Sequence, residues 1–134
     1  MKIALILIII HYIADFIFQD EKWSLGKSKN WNDLLFHTIT YTLVFLAAFI
    51  IMDVGHKIIY GSWAFDVFKV QLFLLITFVC HTITDYFTSR WVSGKFKRNH
   101  LGSSIPNFGA FSAIGFDQVL HYAQLFLTYH LLTL

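Results

Sequence analysis

An all-α integral membrane protein, a four-helix bundle assembled from two copies of a helical hairpin, is what these 134 residues predict. Three observations carry that expectation. Only 13% of the residues are charged and 57% are hydrophobic, where an average soluble domain has roughly 25% charged, so too few polar side chains remain to coat a soluble core of this size. Four apolar stretches each approach the roughly 20 residues that a helix needs to cross a ~30 Å hydrocarbon core. Each stretch also holds one histidine and one aspartate four residues apart.

The first stretch covers residues 3–18 and, with its flanks, gives a span of about 1–19. Its lysine and apolar run suit a signal peptide, but His11 and Asp15 interrupt the run and no small-residue cleavage site follows. It therefore reads as a retained span. Residues 20–31, with Gly26 and three lysines, read as a polar turn. The second span covers about 32–52 and the third about 69–91. The segment between them, 53–68, mixes Gly55, Gly61, Tyr60 and Trp63 as an interfacial segment does. A longer polar connection, 92–110, contains Pro106 and leads to the fourth span, about 111–134. The whole of 1–134 reads as a single transmembrane domain.

Lysine and arginine orient it. With the first and third connections on one side, Lys22, Lys27, Lys29, Arg90, Lys95, Lys97 and Arg98 gather there, leaving Lys2, Lys57 and Lys69 for the other. The positive-inside rule then places those connections in the cytoplasm of a bacterial inner membrane, with both termini outside. A net charge of +2 gives no reason to expect nucleic acid as a partner. Cys80 has no second cysteine to pair with and reads as an inert buried thiol.

The pairs are His11 with Asp15, Asp33 with His37, His81 with Asp85, and Asp117 with His121. Random placement of seven histidines and seven aspartates would give roughly 0.7 pairs at this spacing, which sets both side chains on one helical face. The order reverses between successive spans, so antiparallel helices bring the four aspartates to one level. The histidines then form a second level about 6 Å deeper, at 1.5 Å of rise per residue. Trp23 and Trp91 follow Asp15 and Asp85 and extend the hairpin repeat. Thr77, Thr84 and Thr88 share a stripe with the third pair, and Gln118, Gln124 and Thr128 with the fourth.

Eight ionisable groups inside spans call for compensation, since aspartate at a span's centre costs about 2.5–3.5 kcal/mol on insertion scales. Imidazole and carboxylate together bind a divalent metal, with zinc the leading candidate and manganese or iron alternatives. His11, Asp15, Asp33, His37, His81, Asp85, Asp117 and His121 are the candidate ligands, for two ions or for one with outer aspartates. Hydrogen-bonded His–Asp pairs or a metal-free proton relay are the alternatives.

The stretches HYIADFIFQDEKW, DLLFHTITY, HTITDYFTSRW and FDQVLHYAQL resemble an uncharacterised family of small four-helix bacterial and phage membrane proteins, a domain of unknown function. More loosely, the repeated His-x-x-x-Asp is similar to inner-membrane metal-dependent hydrolases and to the helical zinc phospholipases C and single-strand nucleases. That likeness implies phosphoester chemistry on clustered metals.

A divalent ion lowers the pKa of its water toward about 7, and an aspartate such as Asp15 or Asp85 can serve as general base. Arg90 and Lys22, within two turns of those aspartates, are the expected phosphate clamps, with Lys27 on the same face. The expected function is hydrolysis of a phosphoester of a membrane lipid or polyprenyl phosphate at the cytoplasmic leaflet. A metal or proton transporter, a non-catalytic phage membrane protein with a structural metal site, and redox chemistry at a di-iron site are the competing readings. His56, His100 and His130 lack a carboxylate four residues away and read as interfacial or surface residues, and the four tryptophans as belt residues.

Overall fold

The computed structural model describes residues 2–98 and 108–134, and all regular structure among them is helical. There are five α-helices rather than four: α1 (Lys2–Tyr12), α2 (Glu21–Gly26), α3 (Trp31–Tyr60), α4 (Val67–Arg98) and α5 (Phe108–Leu132). A π-helical turn, Ile13–Ile17, continues α1. The additional helix, α2, occupies the stretch expected to be a polar turn. Asp20 starts it from an extended conformation, its side chain accepting the Lys22 backbone N–H at 2.8 Å, which satisfies one of the donors a helix start leaves open.

The longer helices overrun the expected spans, and their ends are set by side-chain caps. Asn30 accepts from the Asn32 N–H at 2.9 Å at the start of α3. Gly61 ends that helix with φ of 75°, the left-handed conformation that glycine adopts without strain. Asp53 Oδ1 accepts from Ala64 N (2.7 Å) and Phe65 N (3.3 Å), folding residues 61–66 back on the helix they leave. Asp66 Oδ1 then accepts from Lys69 N at the start of α4. Most of the segment expected at the interface is thus helix. Similarly, α4 continues to Arg98 through the start of the expected third connection, while His100, Pro106 and the side chains of Lys97 and Arg98 lie outside the described residues.

The four long helical stretches pack in a ring: α1 against α3 and α5, and α4 against the same two neighbours. The short α2 leans on α3. Tyr41, Phe45, Phe73 and Leu125 are fully buried at the ring's centre. Phe45 stacks obliquely between Tyr41 and Phe73, and Phe49 meets Phe73 edge-on.

Elsewhere the usual distribution is inverted. Among the described residues twelve polar side chains are buried against eleven apolar ones, while Ile51 (71% exposed) and Leu75 and Leu127 (both 59%) face outward. Soluble proteins bury the second kind and expose the first. Two helices, Trp31–Tyr60 and Val67–Lys95, are long and apolar enough to cross a membrane, and Ile3–Ile17 is a shorter apolar stretch.

Truncating the central aromatic tests this packing. Phe45→Ala is expected to destabilise the protein by about 3–5 kcal/mol through the cavity it leaves. Reversible denaturation in detergent measures it, and a loss below about 1 kcal/mol would mean that Phe45 is not a core residue.

Candidate metal centre

The histidines and aspartates converge at one end of the aromatic core. Spacing of four places His81 and Asp85 on one face of α4, and His121 with Asp117 on one face of α5. On α1 the local backbone differs. The π turn, closed by the Phe18 N–H to Ile13 C=O bond at 3.0 Å, inserts extra backbone beside Asp15. Ala14 and Asp15 are buried there while Phe16, Ile17 and Phe18 point out. Asp15 reaches α3, with Oδ1 3.2 Å from His37 Nε2, and stands 3.8 Å from His11 on its own helix.

Asp85 is the most connected group. Its Oδ2 lies 2.9 Å from His37 Nε2 and 3.6 Å from His81 Nε2, and its Oδ1 lies 3.3 Å from His121 Nε2. His37 Nε2 and His81 Nε2 are 3.1 Å apart, and Asp117 Oδ1 is 3.3 Å from His121 Nε2. His81 is stacked between the Tyr41 ring at 3.8 Å and the His121 ring at 4.2 Å.

Two sets of three buried donors come close enough to share an ion: Asp15, His37 and His81, and His81, Asp85 and His121. Ligands held about 2.0–2.1 Å from a tetrahedral zinc lie about 3.3 Å from one another, which is the scale of the separations above. Two buried carboxylate oxygens, Asp15 Oδ1 and Asp117 Oδ1, face imidazole nitrogens at 3.2 and 3.3 Å without a well-aligned hydrogen bond among the described residues. Buried polar atoms are rarely left so. Donor type, spacing and unpartnered atoms all fit a divalent ion.

His11 and Asp33 stand apart from both sets. A carbonyl oxygen only accepts, so His11 Nε2–H donates to Gln118 Oε1 at 2.7 Å and its Nδ1 accepts from the Tyr41 hydroxyl at 2.7 Å. Both ring nitrogens are taken. Gln118 Nε2 in turn donates to Asp15 Oδ2 and Asp117 Oδ2, both at 3.2 Å, so Tyr41, His11 and Gln118 act as an outer shell that orients two carboxylates. Asp33 is buried in the first turn of α3, where a Cβ on Gly26 would overlap its carboxylate.

Neither expected phosphate clamp reaches the cluster. Arg90 donates to the Tyr86 carbonyl at 2.6 Å and lies 3.7 Å over the Tyr86 ring, on which Trp31 also stacks at 4.8 Å. Lys22 is exposed on α2. The cation at the cluster is Lys27, whose Nζ donates to Asp85 Oδ2 at 2.8 Å and lies 3.4 Å from His37 Nε2. Burial pushes the Lys27 ammonium toward neutrality, but Asp85 and then Asp15 outweigh it, and its pKa is raised.

On the aspartate side a cavity of about 550 Å3 opens, with Asp15, Asp85, Asp117, Lys27 and Gln118 in its wall and Phe16, Leu25, Val92 and Ile114 as apolar lining.

The family model described as a protein of unknown function (DUF3307) matches residues 3–134. The chain belongs to the DUF3307 family. No curated protein and no solved structure matches it. The DUF3307 match takes in all five helices and both donor sets.

Purified protein is expected to carry stoichiometric zinc or manganese by elemental analysis. His81→Ala, which removes the donor common to both sets, should lose the metal, while His11→Gln should keep it. Retention of metal by His81→Ala would overturn the assignment.

Proposed function

We propose that this protein is a membrane-embedded, metal-dependent hydrolase acting on a phosphoester of a lipid or polyprenyl phosphate at the cytoplasmic leaflet. The observation that carries this reading is the cavity whose wall is built from the carboxylates of the donor cluster. A purely structural metal site has no need of one.

The membrane part rests on the inverted burial and on the two helices of crossing length. The lysines and arginines of the first and third connections support the cytoplasmic placement. The four long helical stretches would then form the spanning bundle, with α2 at its cytoplasmic end.

Charge supports one ion rather than two. The carboxylates of Asp15, Asp85 and Asp117 together with the Lys27 ammonium leave two negative charges, which a single divalent ion neutralises while the imidazoles stay neutral. Either Asp15, His37 and His81 or His81, Asp85 and His121 would hold it, with the remaining donors beside it, and once bound it would supply a Lewis acid and a water acidic enough to ionise near neutral pH.

The chain's own groups supply the rest. Asp117 belongs to neither donor set, lines the cavity, and has Oδ1 3.3 Å from His121 Nε2, an imidazole that a bound ion would engage. That oxygen is the proton acceptor for an attacking water. Gln118 holds the other oxygen of Asp117 and so fixes the carboxylate's rotation. Phe16, Leu25, Val92 and Ile114 suit an acyl or prenyl chain beside the ester.

A transporter would need a polar path through the span. Thr77, Gln124 and Thr128 do extend the polar strip beyond the histidines, but Tyr41, Phe45, Phe73 and Leu125 fill the ring beside it. Metal uptake into proteoliposomes that depends on His121 would reverse this preference.

Asp117→Asn is expected to retain metal and to lose about 10²–10⁴-fold in hydrolysis of a lipid phosphomonoester in mixed micelles, the range for removing a general base. Unchanged turnover, or full activity in a metal-free preparation, would sink the proposal.

A further inference from the structure

Lys27 reaches the donor cluster because of how α2 ends. Lys29 N and Asn30 N both bond back to the Gly26 carbonyl, making a tight turn into α3. At Gly26 the backbone lies so close to the Asp33 carboxylate that a side chain would overlap it. The corner formed by Gly26 and Asp33 presses the end of α2 onto the first turn of α3 and sends Lys27 inward. Its side chain is only 15% exposed.

The two atoms nearest its ammonium, Asp85 Oδ2 and His37 Nε2, are themselves 2.9 Å apart. A divalent ion in either donor set would draw on one of these two residues, His37 in the first and Asp85 in the second, and an ion crowded against the ammonium beside a shared carboxylate would repel it strongly in so dry a place. The ammonium has somewhere to turn, because Lys27 also lines the cavity. Around it there stand Lys29, Ser24, Ser28, Ser89 and Gln19, with the Ser89 hydroxyl oxygen and Gln19 Oε1 buried and unpartnered among the described residues. With an ion held, the cluster and Lys27 are neutral together, and Lys29 makes the cavity positive. Hydroxyl and ammonium donors around a positive cavity are the chemistry that recognises a tetrahedral oxyanion.

We propose that Lys27 is the phosphate-binding residue of this cavity, yielding Asp85 to a divalent ion and turning its ammonium to the phosphate group of the ligand, with Asp33 and Gly26 as its positioning residues. The proposal rests on the metal reading of the cluster. It replaces Lys22 and Arg90, whose side chains are outside the cavity lining. Phosphate binding should accordingly depend on prior metal loading.

The full-length protein, purified in a neutral detergent and loaded with Mn²⁺, is titrated with inorganic phosphate, and the paramagnetic broadening of its ³¹P resonance is followed. Lys27→Met should bind Mn²⁺ at least as tightly as the parent and phosphate at least about tenfold more weakly, while Lys22→Met and Arg90→Met stay within about twofold. Lys27→Arg, which keeps the charge, should recover most of the affinity. Full Mn²⁺ occupancy with unchanged phosphate affinity in Lys27→Met would overturn this proposal alone. A parent protein that takes up no Mn²⁺ would overturn the metal reading with it, and phosphate binding undiminished after chelation of the metal would overturn the proposed coupling. Competition by dihexanoyl phosphatidic acid separates the two sources of phosphate. Displacement at least about tenfold below the inorganic phosphate needed assigns a lipid headgroup, as the apolar lining leads us to expect, whereas equal potency assigns free phosphate.

Discussion

A carboxylate withdrawn from water has to be compensated by its surroundings, and at Asp85 the compensation comes from four helices at once. Lys27 arrives from the end of α2, His37 from α3, His81 from α4 itself and His121 from α5. None of these contacts is local except that with His81. Removing Asp85 would leave three imidazoles and an ammonium crowded together without the carboxylate they share, while removing a partner would strand a buried charge. The helices are therefore held in register by one side chain, and the cavity above it takes its shape from that register.

Around this centre the protein places its polar groups inward and its apolar groups outward. In water such an arrangement forgoes the main driving force of folding, because Ile51, Leu75 and Leu127 would stay wet while histidines and threonines filled the interior. In a hydrocarbon solvent the exposed side chains lose nothing, and interhelical hydrogen bonds and close packing supply the association energy. The aromatic cluster of Tyr41, Phe45, Phe49 and Phe73 provides the second of these. Tyr41 joins the two layers, since its ring packs on Phe45 and His81 while its hydroxyl donates to His11.

The convergence of five of the eight paired residues was legible in the sequence, because a spacing of four fixes a helical face and the reversal of order fixes a level. The departures all trace to geometry that spacing does not encode. His11 has the right spacing, but Gln118 and Tyr41 engage both its nitrogens; Tyr41 follows His37 by four residues, a same-face signal that could have been read. Asp33 has the right spacing too, yet sits where α2 folds against α3, and a six-residue helix is too short to announce itself by periodicity. Lys22 and Arg90 lie near the aspartates in sequence, whereas Lys27 lies farther along and points in. Proximity in the chain says little about direction once a turn intervenes.

The π turn at Ile13–Ile17 acts as a slipped phase in an otherwise regular rotation. Before it α1 presents His11 to Tyr41 and Gln118, and within it Asp15 meets His37 and the same Gln118, so the regular advance of about 100° per residue is broken between two groups that serve one cluster. One added or lost residue there would swing everything before it around the axis without changing any side chain. The first helix can thus be re-aimed through chain length, a variable independent of residue identity, and substitutions alone would not reveal how tightly that variable is held.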